Sequence, residues 1–265
     1  MSSSKVVLIT GGNSGVGYEA VKAFLESEKP YHVLLASRTL EKAQSAIESI
    51  RKEVSNSSNS VEPLVLDVTS DDSIQKAFEQ VKASPGHVDA LINNAGAAFD
   101  PEWKHGNVSL RECFNKAYDT NVTGAHLTTW TFMPLLLESI DPRLLFVAGL
   151  SHMTVAIEDY FPTPPQPAGW PKPPVDFETI GYRCSKTALN MLMLDWNHKL
   201  KADRVKVWGV APGFLATNLG NMRDQAEEMG AGHPSIGAKV YVSVVEGERD
   251  DVVGRVIGKD GLVPL

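Results

Sequence analysis

Tyr182 and Lys186 are the two residues of this sequence whose types and spacing best suit proton transfer. They are four residues apart in a segment, 180–201, whose pattern predicts a helix, so their side chains would share one helix face. A tyrosine hydroxyl has an ordinary pKa of about 10, and a neighbouring ammonium group favours its phenolate form. Tyr-Lys pairs at this spacing also occur on ordinary helix surfaces, so a catalytic and a structural interpretation both stay open.

A glycine-rich turn near the N-terminus could bind a phosphate group. Residues 6–9 form a short apolar run typical of a buried parallel strand, and Gly11, Gly15 and Gly17 then precede a segment with helical spacing through Leu25. Glycine permits a tight turn and a close approach of backbone N–H groups to a pyrophosphate, and a helix N-terminus attracts the anion. The pattern predicts nucleotide binding, although ordinary strand-to-helix turns also use glycines.

The end of the second predicted strand, residues 31–36, bears on which nucleotide is bound. In NAD sites an acidic side chain at this position accepts hydrogen bonds from the adenosine ribose. Here the chain carries Ser37 and Arg38 instead, and an arginine can pair with a 2′-phosphate through two N–H groups. The missing acid and the present base together favour NADP(H), although a loop arginine taken alone is usually just solvated.

The remaining pattern alternates between strands and helices. Further strands are predicted at 61–66, 88–92, 143–147, 205–210 and 254–261, and further helices at 40–54, from near 70, at 110–137 and at 180–201. This alternation predicts an α/β fold of Rossmann type, in which a doubly wound, seven-stranded parallel sheet carries helices on both faces.

Polar residues follow several of these strands. Asp67 could meet an adenine amino group or cap the helix that follows. Asn94 could bond the backbone of neighbouring strands, and the small Ala95 and Gly96 leave room for a flat ring. Asn121 lies inside a predicted helix, where asparagine is unfavourable unless its side chain is bonded. It therefore marks either a bend in the helix or a polar contact in the site.

A proline-rich insertion, residues 152–179, separates the fifth strand from the Tyr182 helix. Seven prolines lie between Phe161 and Pro174, and a segment of this kind is usually a linker or a functional loop. Because linkers avoid bulky aromatics, we expect a pocket wall in which Gly169 lets the chain turn and point Trp170 inward. The alternative is an exposed excursion. A second segment, 218–237, is polar and rich in glycine, which predicts a mobile loop near the substrate.

The length, the net charge and the number of cysteines limit the class of protein. The 265 residues suffice for one domain with a full core, and no apolar run is long enough to cross a bilayer. A net charge of −7 argues against nucleic acid as a partner. The N-terminus leads directly into the first strand, so we expect a cytoplasmic protein. Cys113 and Cys184 lack metal-ligand spacing, which predicts buried free thiols and no metal site.

Together these motifs resemble the short-chain dehydrogenase/reductase family over nearly the whole chain. The matching elements are Thr10-Gly11-x-x-x-Gly15-x-Gly17, Asn93-Asn94-Ala95-Gly96, Asn121, Tyr182-x-x-x-Lys186 and Pro212-Gly213 with Thr217. The resemblance implies that Tyr182 is the general acid/base and that Lys186 lowers its pKa and holds the nicotinamide ribose. It also implies that Asn121 anchors a water in the proton relay.

The resemblance also implies which residues contact the cofactor, NADP(H). These are Gly11, Asn13, Ser14, Gly15, Val16, Gly17, Ser37, Arg38, Asp67, Val68, Asn94, Ala95, Gly96, Tyr182, Lys186, Pro212, Gly213 and Thr217. Family members commonly pair through long helices, so a homodimer or homotetramer is expected.

The sequence departs from the family at the end of the fifth strand. The family carries a serine pair there whose second member binds the substrate oxygen, whereas this chain has Ala148 and Gly149. Ser151 either replaces that donor as a catalytic residue or is an ordinary turn serine. The predicted substrate pocket consists of Gly149, Ser151 and Trp170.

The leading functional hypothesis is an NADPH-dependent oxidoreductase that reduces a carbonyl or imine/iminium group of a bulky apolar small molecule. The segment Pro167-Ala168-Gly169-Trp170 resembles one in fungal secondary-metabolite reductases of the family, which favours a role in secondary metabolism. Two alternatives stay open, namely a cyclase that retains the cofactor and a non-catalytic NADP(H)-binding protein.

Overall fold

Eight strands form one sheet in the computed structural model, which describes residues 4–149, 152–161, 163–173, 175 and 177–265. The strands are β1 (Lys5–Ile9), β2 (Tyr31–Ser37), β3 (Ser60–Val65), β4 (Ala90–Asn93), β5 (Arg143–Val147), β6 (Lys206–Val210), β7 (Val256–Gly258) and β8 (Gly261–Leu262). Their order across the sheet is β3-β2-β1-β4-β5-β6-β7-β8, and every neighbouring pair is parallel except β7 and β8. The strand order reverses between β1 and β4, and ligands of such sheets bind beyond the carboxyl ends of the strands at that reversal.

The predicted Rossmann-type sheet is confirmed, with one correction to its edge. The seven predicted parallel strands are present, and β8 adds a short antiparallel strand beside β7. Gly261 reverses the chain with a φ of +115°, a left-handed conformation that suits glycine. A two-residue strand is too short to produce a recognisable sequence period, which explains why only seven strands were predicted.

Helices cover both faces of this sheet. They are α1 (Gly15–Glu26), α2 (Leu40–Glu53), α3 (Asp71–Ala83), α4 (Asp100–Lys104), α5 (Leu110–Tyr118), α6 (Gly124–Leu137), α7 (Met153–Glu158), α8 (Ile180–Lys199), α9 (Arg223–Glu228) and α10 (Ser235–Val245). Successive side chains of β1 enter opposite cores: Leu8 packs with residues of α3, α6 and α8, whereas Val7 packs with residues of α1, α2 and α10. The central strands are therefore apolar on both faces, as buried parallel strands require.

The structure differs from the prediction in two segments. The long helix predicted at 110–137 is divided into α5 and α6 by one π-helical turn, Asp119–Thr123, that contains Asn121. The segment 218–237, predicted as a mobile loop, contains α9 and the start of α10, and Met222 and Ala226 within it are buried.

The cysteine prediction is half correct. Cys113 is a buried free thiol, but Cys184 is exposed because it lies on the outer face of α8. Within the part of the chain that the structure describes, no group of His, Cys, Asp or Glu side chains could hold a metal ion. No described helix is both long and apolar enough to cross a membrane.

Candidate active site

A single cleft of about 1500 Å³ lies at the carboxyl ends of the central strands. It brings together most of the residues singled out from the sequence, which are Gly11, Asn13, Ser14, Gly15, Val16, Ser37, Arg38, Asp67, Val68, Asn94, Ala95, Gly96, Gly149, Tyr182, Lys186, Pro212, Gly213 and Thr217. Gly17, Asn121 and Trp170 do not line it, and Ser151 lies outside the described residues.

The glycine turn between β1 and α1 has the geometry of an anion cradle. Gly11 and Gly15 adopt φ values of +65° and +56°, which glycine alone adopts without strain. A Cβ at Gly17 would lie 2.5 Å from the carbonyl oxygen of Gly11, so Gly17 serves helix packing rather than contact with a ligand. Ser14 at the N-cap makes no side-chain bond to the helix, so it leaves the first N–H groups of α1 uncapped for a phosphate.

Asn94 stabilises this turn from the neighbouring strand β4. Its Nδ2 donates to the carbonyl oxygen of Thr10 at 2.8 Å, and its Oδ1 accepts from the hydroxyl of Tyr241 at 3.0 Å. The hydroxyl of Thr10 accepts in return from the backbone N–H groups of Asn94 and Ala95. The side chain of Asn94 is thus bonded within the protein, and its contribution to a bound cofactor would be to shape the turn.

The residues after β2 and β3 form the other end of the cleft. Ser37 is buried, and among the described residues its Oγ has no hydrogen-bond partner, whereas Arg38 beside it is exposed. An unpartnered buried hydroxyl costs free energy unless a ligand satisfies it. The carboxylate of Asp67 accepts from the backbone and hydroxyl of Thr69. The helix cap that Asp67 could have provided is made by Ser70 instead.

Lys186 lies deep in the cleft wall beside Tyr182. It is 2% exposed, and its Nζ donates to the carbonyl oxygen of Val147 at 2.8 Å. The same Nζ lies 5.6 Å from the ring centroid of Tyr182. The bond to Val147 ties α8 to the end of β5, so the two residues are held relative to the central sheet.

Burial sets the protonation states of this pair. It raises the pKa of the Tyr182 hydroxyl and lowers the pKa of the Lys186 ammonium to about 7, because desolvation penalises the charged form of each group. The direction for Tyr182 is opposite to the one predicted from the neighbouring lysine alone. Tyr182 therefore keeps its proton, which is the state that a proton donor requires.

Asn121 connects α8, the helix that carries Tyr182, to the loop after β4. Its Oδ1 accepts from the backbone N–H of Ala97 at 2.8 Å, and its Nδ2 donates to the Ala97 carbonyl at 2.9 Å and to the Ser185 hydroxyl at 2.8 Å. The sequence left open a bend in the helix or a polar contact in the site. A π-helical turn interrupts the helix at Asn121, and the polar contacts of its side chain are to Ala97 and Ser185. Since two of these three bonds occupy both amide hydrogens, the side chain of Asn121 acts as a structural link and has none left to donate to a water.

Two carboxylates bind the N-terminus of α8. Glu178 Oε1 accepts from the N–H groups of Thr179 and Ile180, while buried Asp100 accepts from Gly181 at 2.6 Å and from Tyr182 at 3.0 Å. These are the backbone donors that a helix start leaves unsatisfied. Asp100 was missed from the sequence; the Asp-Pro pair that opens α4 signals a helix start but does not reveal this contact.

Gly149 occupies the position of the missing serine. Its φ is +146°, and a Cβ built on it would lie 2.7 Å from the Tyr182 hydroxyl oxygen. A side chain at this position would therefore be strained and would collide with the Tyr182 hydroxyl. Glycine is required here by the local backbone and by the place of the tyrosine.

The insertion does reach the cleft, but through residues other than Trp170. The Trp170 side chain is 88% exposed, which corrects the prediction that it faces the pocket. Gly169 permits the turn with a φ of +118°, but the turn directs the indole to solvent. Phe161 and Phe177 line the cleft instead, together with Phe214 from the loop after β6.

Comparisons with known proteins agree with this geometry. A family model described as short chain dehydrogenase matches residues 5–155. The short-chain dehydrogenase/reductase tropE of Talaromyces stipitatus is 46% identical over 99% of this chain and 98% of its own length. The short-chain dehydrogenase/reductase eupG of a Phoma species is 41% identical over 93% of this chain and 91% of its own. The crystal structure of NADPH-bound carbonyl reductase from chicken fatty liver superposes with a TM-score of 0.77 over both full chains, at 21% identity.

Proposed function

Because the chain belongs to the short-chain dehydrogenase/reductase family, we propose that it uses NADPH to reduce a carbonyl or imine/iminium group of a bulky, largely apolar small molecule. The observation that carries this proposal is that one cleft brings the glycine turn at the start of α1 together with Tyr182 and Lys186. NADPH, when bound, would supply the hydride. The similarity of this chain to fungal proteins supports a role in secondary metabolism. We expect the protein to act in the cytoplasm as a homodimer or homotetramer.

Each residue of the cleft has a separate role in this proposal. Tyr182 donates a proton to a carbonyl oxygen or imine nitrogen, while an iminium is already positively charged and needs none. Lys186, tied to Val147, would bind the nicotinamide ribose and hold the tyrosine in position. The uncapped start of α1 would bind the pyrophosphate, and Val68 and Thr217 would contact the adenine and nicotinamide ends.

The choice of NADPH over NADH rests on Ser37 and Arg38. Both line the cleft, the Ser37 hydroxyl lacks a partner among the described residues, and no acid ends β2 to repel a 2′-phosphate. An arginine there offers a charge-assisted, two-point contact.

A Tyr182→Phe variant tests the function directly. With bulky ketones as substrates, we expect NADPH oxidation to slow by about 10² to 10⁴, the usual contribution of a positioned acid, while NADPH binding measured by calorimetry stays the same. Tyr118→Phe, an exposed tyrosine of α5, is the matched control and should retain full rate. Unimpaired ketone reduction by Tyr182→Phe would contradict the assignment, and product formed without NADPH oxidation would favour the cyclase alternative.

A further inference from the structure

Three phenylalanines from separate segments meet in the wall of the cleft. The ring centroids of Phe161 and Phe214 are 5.4 Å apart at an interplanar angle of 81°, and those of Phe177 and Phe214 are 5.8 Å apart at 80°. Phe161 and Phe177 belong to the proline-rich insertion and lie on either side of its prolines, whereas Phe214 follows the Pro212-Gly213 turn after β6. All three line the cleft that holds Tyr182.

These rings are not part of either apolar core. Phe161 is 41% exposed, Phe177 and Phe214 are half-buried, and none belongs to the buried clusters on the two faces of the sheet. Exposing three large apolar rings to water has a cost that an ordinary core position avoids. All three residues line the cleft, where a ligand could cover part of their exposed surface.

Hydrogen bonds to the backbone hold Phe161 and Phe214 in place, and Phe177 lies next to the start of α8. The carbonyl oxygen of Phe161 accepts a hydrogen bond from the Arg183 guanidinium, which also stacks 4.1 Å from the ring centroid of Tyr160. The carbonyl oxygen of Phe214 accepts from the N–H of Gly232 at 3.0 Å. Phe177 precedes Glu178, which caps the start of α8. Arg183 and Glu178 lie close to Tyr182 in sequence. Phe161 and Phe177 are therefore connected to the start of α8, the helix that carries the proposed proton donor. We call Phe161, Phe177 and Phe214 the aromatic wall.

Resting on the proposed reductase function, we propose that Phe161, Phe177 and Phe214 recognise a planar aromatic ring that carries the reducible group of the substrate. The rings of Phe161 and Phe177 are nearly perpendicular to that of Phe214. A bound aromatic ring could therefore make a further edge-to-face contact with them, which is an attractive arrangement for aromatic pairs. A saturated ring system of equal carbon number gains only the apolar contact.

The test compares two alcohols that share one carbon skeleton, 2-naphthalenemethanol and its decahydro analogue. Calorimetry should show the wild-type protein binding the aromatic alcohol more tightly than the saturated one, by about threefold to tenfold. Phe214→Leu should abolish this preference, because leucine retains apolar contact but not the ring. Phe114→Leu, on the outer surface of α5 and outside the cleft, is the matched control and should preserve it.

The outcomes separate this inference from the proposed function. If the wild type binds both alcohols equally, prefers the saturated one or binds neither, the aromatic wall is wrongly assigned, even where the corresponding aldehydes are reduced by NADPH. If the preference holds but neither aldehyde is reduced, ring recognition stands and the reductase proposal falls. Should Phe214→Leu unfold, Phe177→Leu serves in its place, and a preference unchanged in a folded variant overturns the inference.

Discussion

A Cβ atom at Gly149 would lie 2.7 Å from the hydroxyl oxygen of Tyr182. The residue that departs from the family pattern is therefore coupled sterically to the proposed proton donor. With a φ of +146°, Gly149 also has a backbone conformation that costs other residues roughly 1 to 3 kcal/mol. A serine at this position would therefore strain the backbone and collide with Tyr182.

Restoring the family residue should harm the protein. We expect Gly149→Ser to lower kcat about 100-fold, because displacing a catalytic group by about 1 Å costs a factor of that size. Gly169→Ala is the matched control, since Gly169 has a comparable φ of +118° but nothing within 4 Å of its Cβ position. It should lose some stability in thermal unfolding and keep its kcat. A Gly149→Ser protein that is as active as the wild type would show that Tyr182 has room to move.

Asp100 should act on catalysis through Tyr182. Asp100→Asn keeps one oxygen but replaces the other by an amide that cannot accept from the Tyr182 N–H, so the start of α8 loosens. We expect a lower kcat with an unchanged dissociation constant for NADPH. Glu112→Gln is the control, because Glu112 completes an exposed capping box on α5, away from the cleft. If both variants lose stability to a similar degree and Asp100→Asn keeps its kcat, Asp100 has only a structural role.

The buried lysine should make stability depend on pH in a defined direction. The pKa of Lys186 is about 7 in the folded chain against an ordinary value of 10.5. Between these values the unfolded chain binds more protons, so the free energy of unfolding of the wild type rises with pH across this window. Lys186→Met removes the titrating group.

Chemical unfolding of the cofactor-free proteins measures this difference. The stability of Lys186→Met relative to the wild type should be greatest at about pH 6, where the desolvation cost is fully present, and should fall by about pH 9. A difference that stays constant over this range would mean that Lys186 has an ordinary pKa.

Arg38 should decide the cofactor preference. Removing a charge-assisted contact costs roughly 1.5 to 3 kcal/mol, so Arg38→Ala should weaken NADPH binding by about 10- to 100-fold while hardly changing NADH binding. Arg111→Ala removes an exposed arginine of α5 outside the cleft and should change neither. Calorimetric dissociation constants for both cofactors check this, and equal affinities of the wild type for the two would refute it.

The sequence by itself determined the parts of this protein that depend on local pattern. Short apolar runs alternating with helical periods predict the parallel sheet, because residues on a strand or a helix face recur at intervals that the backbone geometry dictates. The turn from Gly11 to Gly17 and the spacing of Tyr182 and Lys186 are likewise local. Most residues predicted to bind the cofactor line one cleft, since the carboxyl ends of parallel strands share one edge of the sheet.

Only the tertiary structure decided how distant segments meet. Asp100 binds the backbone of Tyr182 across 82 positions of sequence, and no local period encodes such a contact. The protonation of Tyr182 and Lys186 follows from their burial, which depends on all the residues packed around them. The insertion turns Trp170 to solvent and Phe161 and Phe177 toward Phe214, because backbone dihedrals and neighbours, rather than aromatic composition, determine which ring faces the cleft.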